Sequence, residues 1–486
     1  MALFNRASRT PDDSESASDN APKLLEAPPV DDEGRRSLDD HRDYLLSMVE
    51  PLAPFGMSLI DAWGHTLCED IKGYSDLPPV PVAEVDGYAF CAADVATVPP
   101  GSQAILSLAG RPRRAVTADD EKASDETAKD SNKEPKTKTP ETAKPAAAES
   151  NAESPANSSG GAIGVGQAMR VRSGEKLPEG ADTVVAHWQV EPDKTGTRIA
   201  ILTKITEGDW VRPVGAEARD GQLLMPAGLV LDDRRSALLA AAGFDRVMAR
   251  PRTRVVLVQV SDSEKEPPFD GGRAPTTGIH LINGAAKSDG ATVWRIDADL
   301  ASLQTARERL NDELIRADLV LTVGGLTDDS ADPRLLRMLG EMGVVEVAEV
   351  ALRPGRRHGF GLIGDDHTPV VMLPGDPTAL LVAYHAFARP VLRKLMGVEP
   401  YAHEPVLCFA ERDFDAELGL TQLVPCRLRQ DGNRFLAVEV MSRRHSLLSA
   451  LVAADALVVL PPNRQRVYAG EALACWLLGD QLAAVE

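Results

Sequence analysis

Thr322–Asp332 reads TVGGLTDDSAD; it follows the apolar run ADLVL and precedes PRLLRMLG, whose pattern is helical. A glycine pair between a strand and a helix is a common setting for an anion, because the helix start offers free N–H groups and the positive end of its dipole. Gly324 and Gly325 fit that setting, yet the loop carries Asp328, Asp329 and Asp332 and no lysine. A loop built like an anion cradle is therefore lined with negative charge. A second loop, MLPGDPTALL at 372–381, has the same form. Asp376 can cap a helix, Pro377 fits its first turn, and Pro374 and Gly375 shape the turn before it. Either loop is also what most α/β proteins use to pass from strand to helix. VALRPGRRHGFG at 350–361 sets Arg353, Arg356 and Arg357 around a Pro-Gly turn. In so acidic a chain these three read as a local anion site.

The elements that must position these residues follow from periodicity. TRVVLVQV, from Thr253, is a continuous apolar run, the mark of a strand buried on both faces. ATVWRI, ADLVLTV and TPVVMLP read as further strands, and ASLQTARERLNDELIR, PRLLRMLGEMG and TALLVAYHAFARPVLRKLM as helices. Alternating strands and helices predict an open, mostly parallel α/β sheet over 253–398, with ligands at the carboxyl ends of its strands. Short strands return at 399–486, a C-terminal β domain. A β-rich domain is expected at 81–204. Within it, Thr117–Ala162 contains no Val, Ile, Leu, Met, Phe, Tyr or Trp, so it is expected to be a disordered insertion, a spacer or a docking segment. AILSLAG and QAMRVRSGE on its two sides read as strands. Residues 57–80 and 205–252 make a linking domain, 37–56 an N-terminal helix on the α/β domain, and 1–36 a disordered acidic tail. The expected fold class is thus α/β and β multidomain, a central α/β sheet with β-rich domains in a four-part subunit.

Composition narrows the function. The 486 residues include 53 Lys+Arg and 73 Asp+Glu, a formal net charge of −20. That field disfavours non-specific binding to nucleic acid and to anionic membranes. No apolar run reaches the ~18 residues of a membrane span, and MALFNRASRT has no apolar signal region. The five cysteines show no CxxC spacing and read as free thiols of a reducing compartment. A cytoplasmic protein is expected. The nine histidines show no HxxxH spacing. Trp188 and Trp210 are expected in the core.

Six motifs, in order, carry a resemblance. They are VPVAEVDGYAF (80–90), RSGEKLPEGADTVV (172–185), VGAEARDGQLLMPAG (214–228), GGLTDDSAD, RPGRRHGFG and LPGDP. Together they resemble the molybdopterin molybdenumtransferase family, which includes the E domain of gephyrin, over nearly the whole chain from about Leu38. The resemblance implies an elongated homodimer with a molybdopterin-binding type of α/β domain. It implies adenylylated molybdopterin and molybdate as substrates, Mg2+ as cofactor, AMP as product and molybdenum cofactor biosynthesis as the role. Carried over residue by residue, Asp86, Ser173, Glu217 and Asp332 are the implied catalytic residues. Asp297 and Asp332 are the implied metal ligands. Gly324, Gly325, Arg353, Arg356, Pro374, Gly375 and Pro377 would hold the cofactor, with the arginines on the molybdopterin phosphate.

The sequence also departs from that pattern. Where the family has Ser-Thr-Gly-Asp-Glu-Leu this chain reads QVSDSEK (259–265), and Val-Gly-Asp has become Asp328-Asp329-Ser330. Asp376 replaces an asparagine and brings a negative charge to a helix start suited to an anion. These changes support an alternative, a gephyrin-like dimeric scaffold that kept the fold and lost or weakened catalysis, with an unidentified protein partner. For the enzyme, the molybdopterin adenylyltransferase of the pathway is the candidate partner.

Overall fold

The computed structural model describes residues 23–96, 98, 103–109, 161–264, 277–440 and 448–479. Most of the expected acidic tail and nearly all of the expected insertion lie outside the described residues. The chain forms two compact units, Lys72–Leu224 and the remainder, Met1–Ile71 with Met225–Glu486.

In the unit Lys72–Leu224, a six-stranded sheet runs in the order Thr183–Ala186, Gly87–Phe90, Gln167–Val171, Ala104–Leu108, Arg198–Ile201, Val190–Pro192. AILSLAG and QAMRVRSGE do supply strands, and these two pair in parallel, Ser107 with Gln167 and Leu108 with Ala168. Gly87–Phe90 is covered on both faces, Phe90 in one apolar cluster and Ala89 in another. The carbonyl of Val185 passes so close to Gly87 that a Cβ there would lie 2.0 Å from its oxygen. Only glycine admits that approach, and it fixes the backbone next to Asp86.

The other unit is built on a mixed sheet. Helix α1 (Leu38–Ser47) precedes it. The alternating part is β1 (Arg254–Ser261), α2 (Thr277–Ser288), β2 (Thr292–Asp299), α3 (Leu303–Leu314), β3 (Leu319–Val323), α4 (Pro333–Gly340), β4 (Gly343–Glu349), β5 (Arg357–Ile363), β6 (Thr368–Leu373), α5 (Pro377–Ala383) and α6 (Arg389–Met396). The strand order is β2-β1-β3-β6-β5-β4. β2, β1, β3 and β6 are parallel, while β5 and β4 close the sheet antiparallel. The apolar run of β1 is explained by two cores. Val255 and Leu257 face the side covered by α1, α2, α5 and α6, and Val256, Val258 and Val260 face the side covered by α3 and α4. Each such side chain contributes about 1.5–3 kcal/mol of burial, so both faces hold the sheet's register.

The acidic N-terminal stretch ends in an anchor. Arg36 is buried, pairs with Glu346 at 2.9 Å and lies over the Tyr44 ring. Its backbone bridges to Val350, beyond the end of β4. The C-terminal sheet closes on itself through Thr421–Asp431, Arg434–Glu439, Val406–Ala410, Ala472–Leu477 and Ala456–Leu460, the last pairing back to the first. Leu352–Arg353 adds to it in parallel, which ties the Arg-Pro-Gly-Arg-Arg turn to that sheet. Among the described residues no helix is long and apolar enough to cross a membrane.

Candidate functional site

The parallel strands bring four loops to one edge. Ser261 at the end of β1 is level with Asp299 at the end of β2, and Val323 at the end of β3 is level with Leu373 at the end of β6. Gly324, Gly325, Asp332, Pro374, Gly375 and Pro377 therefore share the carboxyl end of the sheet. The glycines have reasons internal to the fold. Gly324 and Gly325 have φ of +99° and +79°, the region that favours glycine. A Cβ on Gly325 would lie 2.6 Å from Leu335 Cδ2. The Gly324 N–H donates to Leu373 O, and the Gly375 N–H to Leu326 O, so the two loops are bonded to each other.

Both helix starts at this edge are already capped by carboxylates. Asp376 accepts from the N–H of Thr378 at 3.0 Å and of Ala379 at 2.9 Å. Asp332 accepts from the N–H of Arg334 at 2.9 Å. The expectation that Asp376 would push an anion away has a sharper form in the structure: its carboxylate itself occupies N–H groups that an incoming anion would use. Asp299 does the same for the short turn after β2, accepting from Ala301 and Ser263 N–H. The Ser263 hydroxyl, ahead of those amides, holds the Asp299 carboxyl below the usual carboxylate range.

The acidic loop and the basic turn also meet. Asp328 accepts from the Arg356 N–H at 2.8 Å, its carbonyl accepts from Arg356 Nη2, and Asp329 lies 3.6 Å from the same guanidinium. Arg357 pairs with Glu349 at 2.7 Å and Arg353 with Glu417 at 3.2 Å. All three arginines thus have a carboxylate partner. His358, next in β5, is buried. Burial pushes its imidazole down to about 4, against the opposing hydrogen bond to the Gly355 carbonyl. Asp297 is exposed on β2, two residues before its end, and pairs with Arg295 at 2.7 Å.

Magnesium is the group the resemblance implies, and the residues present do not make a ready site for it. Among the described residues no three His, Cys, Asp or Glu side chains cluster as a metal would need. Asp332 is committed to the α4 cap and to the Arg334 side chain. Asp297 is committed to Arg295. A cavity of about 300 Å3 in this unit lies at the other end of the sheet, lined by Arg254, Asp318, His367 and Thr368 among others, and none of the loops above reaches it.

In the unit Lys72–Leu224, Asp86 and Ser173 are in direct contact. Asp86 Oδ1 accepts from the Ser173 N–H at 2.8 Å, and the Ser173 hydroxyl donates to the Glu84 carbonyl at 2.8 Å. Both residues are exposed. Glu217 pairs with Arg212 at 3.2 Å, and the Arg212 strand pairs with Val82–Ala83, shortly before Glu84. Trp188 and Trp210, expected in the core, are 57% and 39% exposed and meet edge to face, with His187 against Trp188. They adjoin the same stretch: the Glu84 N–H donates to Trp210 O, and the His187 N–H to Asp86 O. Trp210 has φ +54°, a cost of roughly 1–2 kcal/mol for a side chain of this hand. Sequence reasoning missed this aromatic group because Trp188 lies in the short helical turn His187–Gln189 and Trp210 in the turn before Val211, and tryptophan type alone does not say whether a turn faces water.

Three family models match consecutive parts of the chain: the MoeA N-terminal region (domains I and II) at 36–243, the probable molybdopterin binding domain at 272–394, and the MoeA C-terminal region (domain IV) at 410–478. Molybdopterin molybdenumtransferase 1 of Mycobacterium tuberculosis is 28% identical over 315 residues, covering 63% of this chain and 72% of that protein. Molybdopterin molybdenumtransferase 2 of the same organism is 25% identical over 459 residues, covering 91% and 99%. The crystal structure of the molybdopterin biosynthesis MoeA protein from Pyrococcus horikoshii superposes with a TM-score of 0.62 at 19% identity, covering 91% of this chain and all of that one, which speaks to the fold. With three successive parts of its architecture matched in order, the chain belongs to the MoeA family.

Proposed function

We propose that this protein is a molybdopterin molybdenumtransferase of molybdenum cofactor biosynthesis. Its substrates would be molybdate and adenylylated molybdopterin; water breaks the pyrophosphate bond to give AMP and the molybdopterin phosphate, and the two dithiolene thiols displace one oxygen of molybdate, which leaves as water with their protons. The observation that supports it most is the gathering of Gly324, Gly325, Asp332, Pro374, Gly375 and Pro377 at the carboxyl end of a parallel sheet, where α/β folds bind ligands, in a chain whose relatives carry that name. Arg353 and Arg356 are the proposed partners of the molybdopterin phosphate. Exposed ion pairs are worth about 0–1 kcal/mol, so a phosphate can draw these arginines from Glu417 and Asp329. Asp86, with Ser173 fixing it, is the proposed proton-handling carboxylate, and Glu217, paired with Arg212, is the proposed second catalytic carboxylate of that unit. Magnesium is given no residue here, since the carboxylates that would hold it are engaged. A homodimer in the cytoplasm, served by the molybdopterin adenylyltransferase, completes the reading.

The test is incubation of pure protein with adenylylated molybdopterin and molybdate. AMP release above background and formation of active cofactor are expected; neither appearing would overturn the reading. One observation favours the scaffold as second reading: the loop carboxylates and the arginines are paired with one another. No turnover together with a specific protein partner would select it.

A further inference from the structure

Asp262 and Asp332 come from the loops after β1 and β3, neighbouring parallel strands, and among the described residues the Arg334 side chain joins them. Arg334 Nε donates to Asp332 Oδ1 at 3.2 Å, its Nη2 to Asp332 Oδ2 at 2.9 Å, and the same Nη2 contacts Asp262 Oδ2 closely. The fork on Asp332 is bidentate, the strong geometry for guanidinium and carboxylate. All three side chains are largely shielded, at 27%, 19% and 12% exposure for Arg334, Asp332 and Asp262. Arg334 stands in the first turn of α4, where the helix dipole disfavours a cation. The two carboxylates outweigh that dipole, and the first of them, Asp332, leads in holding the guanidinium charged.

We propose that Arg334 is a resident cation of this edge: its guanidinium takes the place beside Asp332 and Asp262 that a divalent ion would otherwise occupy, and it keeps such an ion out. The physical reasoning is local. Two carboxylates this close need positive charge between them, and the Arg334 guanidinium supplies it with fixed geometry. A divalent ion at Asp332 must first displace that fork and then share the space with a half-buried positive charge. This refines the proposed site, because Asp332 is its implied metal ligand, and it makes Arg334 a specificity-determining residue that selects against divalent cations. The position is two residues past Asp332 in sequence, but the link to Asp262, 72 residues away, exists only in the folded sheet.

The test reads metal occupancy without substrate, so it can fail while AMP release succeeds, and the reverse. Mn2+ is titrated into the full chain and free ion is followed by electron paramagnetic resonance. Arg334→Gln is expected to gain a site about tenfold or more tighter than any in the wild type. Asp332→Asn added to it should remove the site, and Arg334→Lys, which keeps the charge, should exclude the ion like the wild type. The comparison of wild type with Asp332→Asn alone, expected to show no difference, stands even if Arg334→Gln folds poorly. Wild type binding Mn2+ through Asp332 as tightly as Arg334→Gln would overturn the proposal, and so would a folded Arg334→Gln with no new site.

Discussion

Asp86 shows how a single side chain can serve structure and chemistry at once, and how the two are separated. Its Oδ1 accepts the Ser173 N–H, which any side-chain oxygen in that place can do, whereas proton handling needs the carboxylate's charge. Asp86→Asn keeps the acceptor and loses the charge. Its AMP release is expected to fall about 10²-fold or more, with the melting temperature unchanged. Asp86→Ala loses both, and about 1 kcal/mol of stability in addition, measurable by denaturant titration. Equal activity in Asp86→Asn and wild type would remove this residue from the chemistry. At this scale the paradox of an acidic loop beside an anion site also resolves. Asp328 and Asp329 are answered by Arg356, and Asp332 by Arg334. The charge in TVGGLTDDSAD is partly offset by the protein's own cations, two arginines against three aspartates.

At the scale of elements, the start of α5 carries a choice between cap and ligand. Asp376 fills two N–H groups of that turn, and Pro377 contributes none. Asp376→Ala is expected to cost about 1 kcal/mol and to open the helix start to an anion. Thermal melts with and without inorganic phosphate would show both effects: a lower melting temperature, and a stabilisation by phosphate larger in the variant than in the wild type. Equal phosphate effects would mean that this turn is not an anion position. The glycines of the neighbouring loop follow from the fold alone. Gly325 has a left-handed backbone and no room for a Cβ beside Leu335, so its presence is explained before any ligand is considered.

For the molecule as a whole, the buried histidines set a pH dependence. His41 and His358 pack against Phe387, and His385 shares a hydrogen bond with His403, which stacks on Trp476. Burial lowers all four, His358 to about 4 and His403 to about 3. Unfolded histidine titrates near 6.5, so below that pH the unfolded chain binds protons that the folded chain refuses. Stability is therefore full above about pH 6.5 and falls as pH drops, by up to about 1.4 kcal/mol per pH unit for each histidine. All four lie in the unit that holds the α/β sheet. Melting followed between pH 7.5 and 5 should show that unit nearly unchanged down to about pH 6.5 and losing stability below it; a flat profile throughout would mean that the histidines accept protons in the folded state.

Much of this protein was legible in the chain itself. Continuous apolar runs such as VVLVQV mark strands buried on both faces, Asp-Pro pairs mark the starts of α4 and α5, and Gly324-Gly325 marks the tight turn between β3 and α4, because each signal acts over a few residues. The six motifs likewise placed the family. What the tertiary structure alone decided is which charges meet. Arg356 finds Asp328 and Arg334 finds Asp262 because strands and turns far apart in sequence end at one edge, and Arg353 finds Glu417 because Leu352–Arg353 joins the C-terminal sheet. Exposure of Trp188 and Trp210 was settled in the same way. Coulomb energy and burial depend on distance in space, and a one-dimensional text records distance only along the chain.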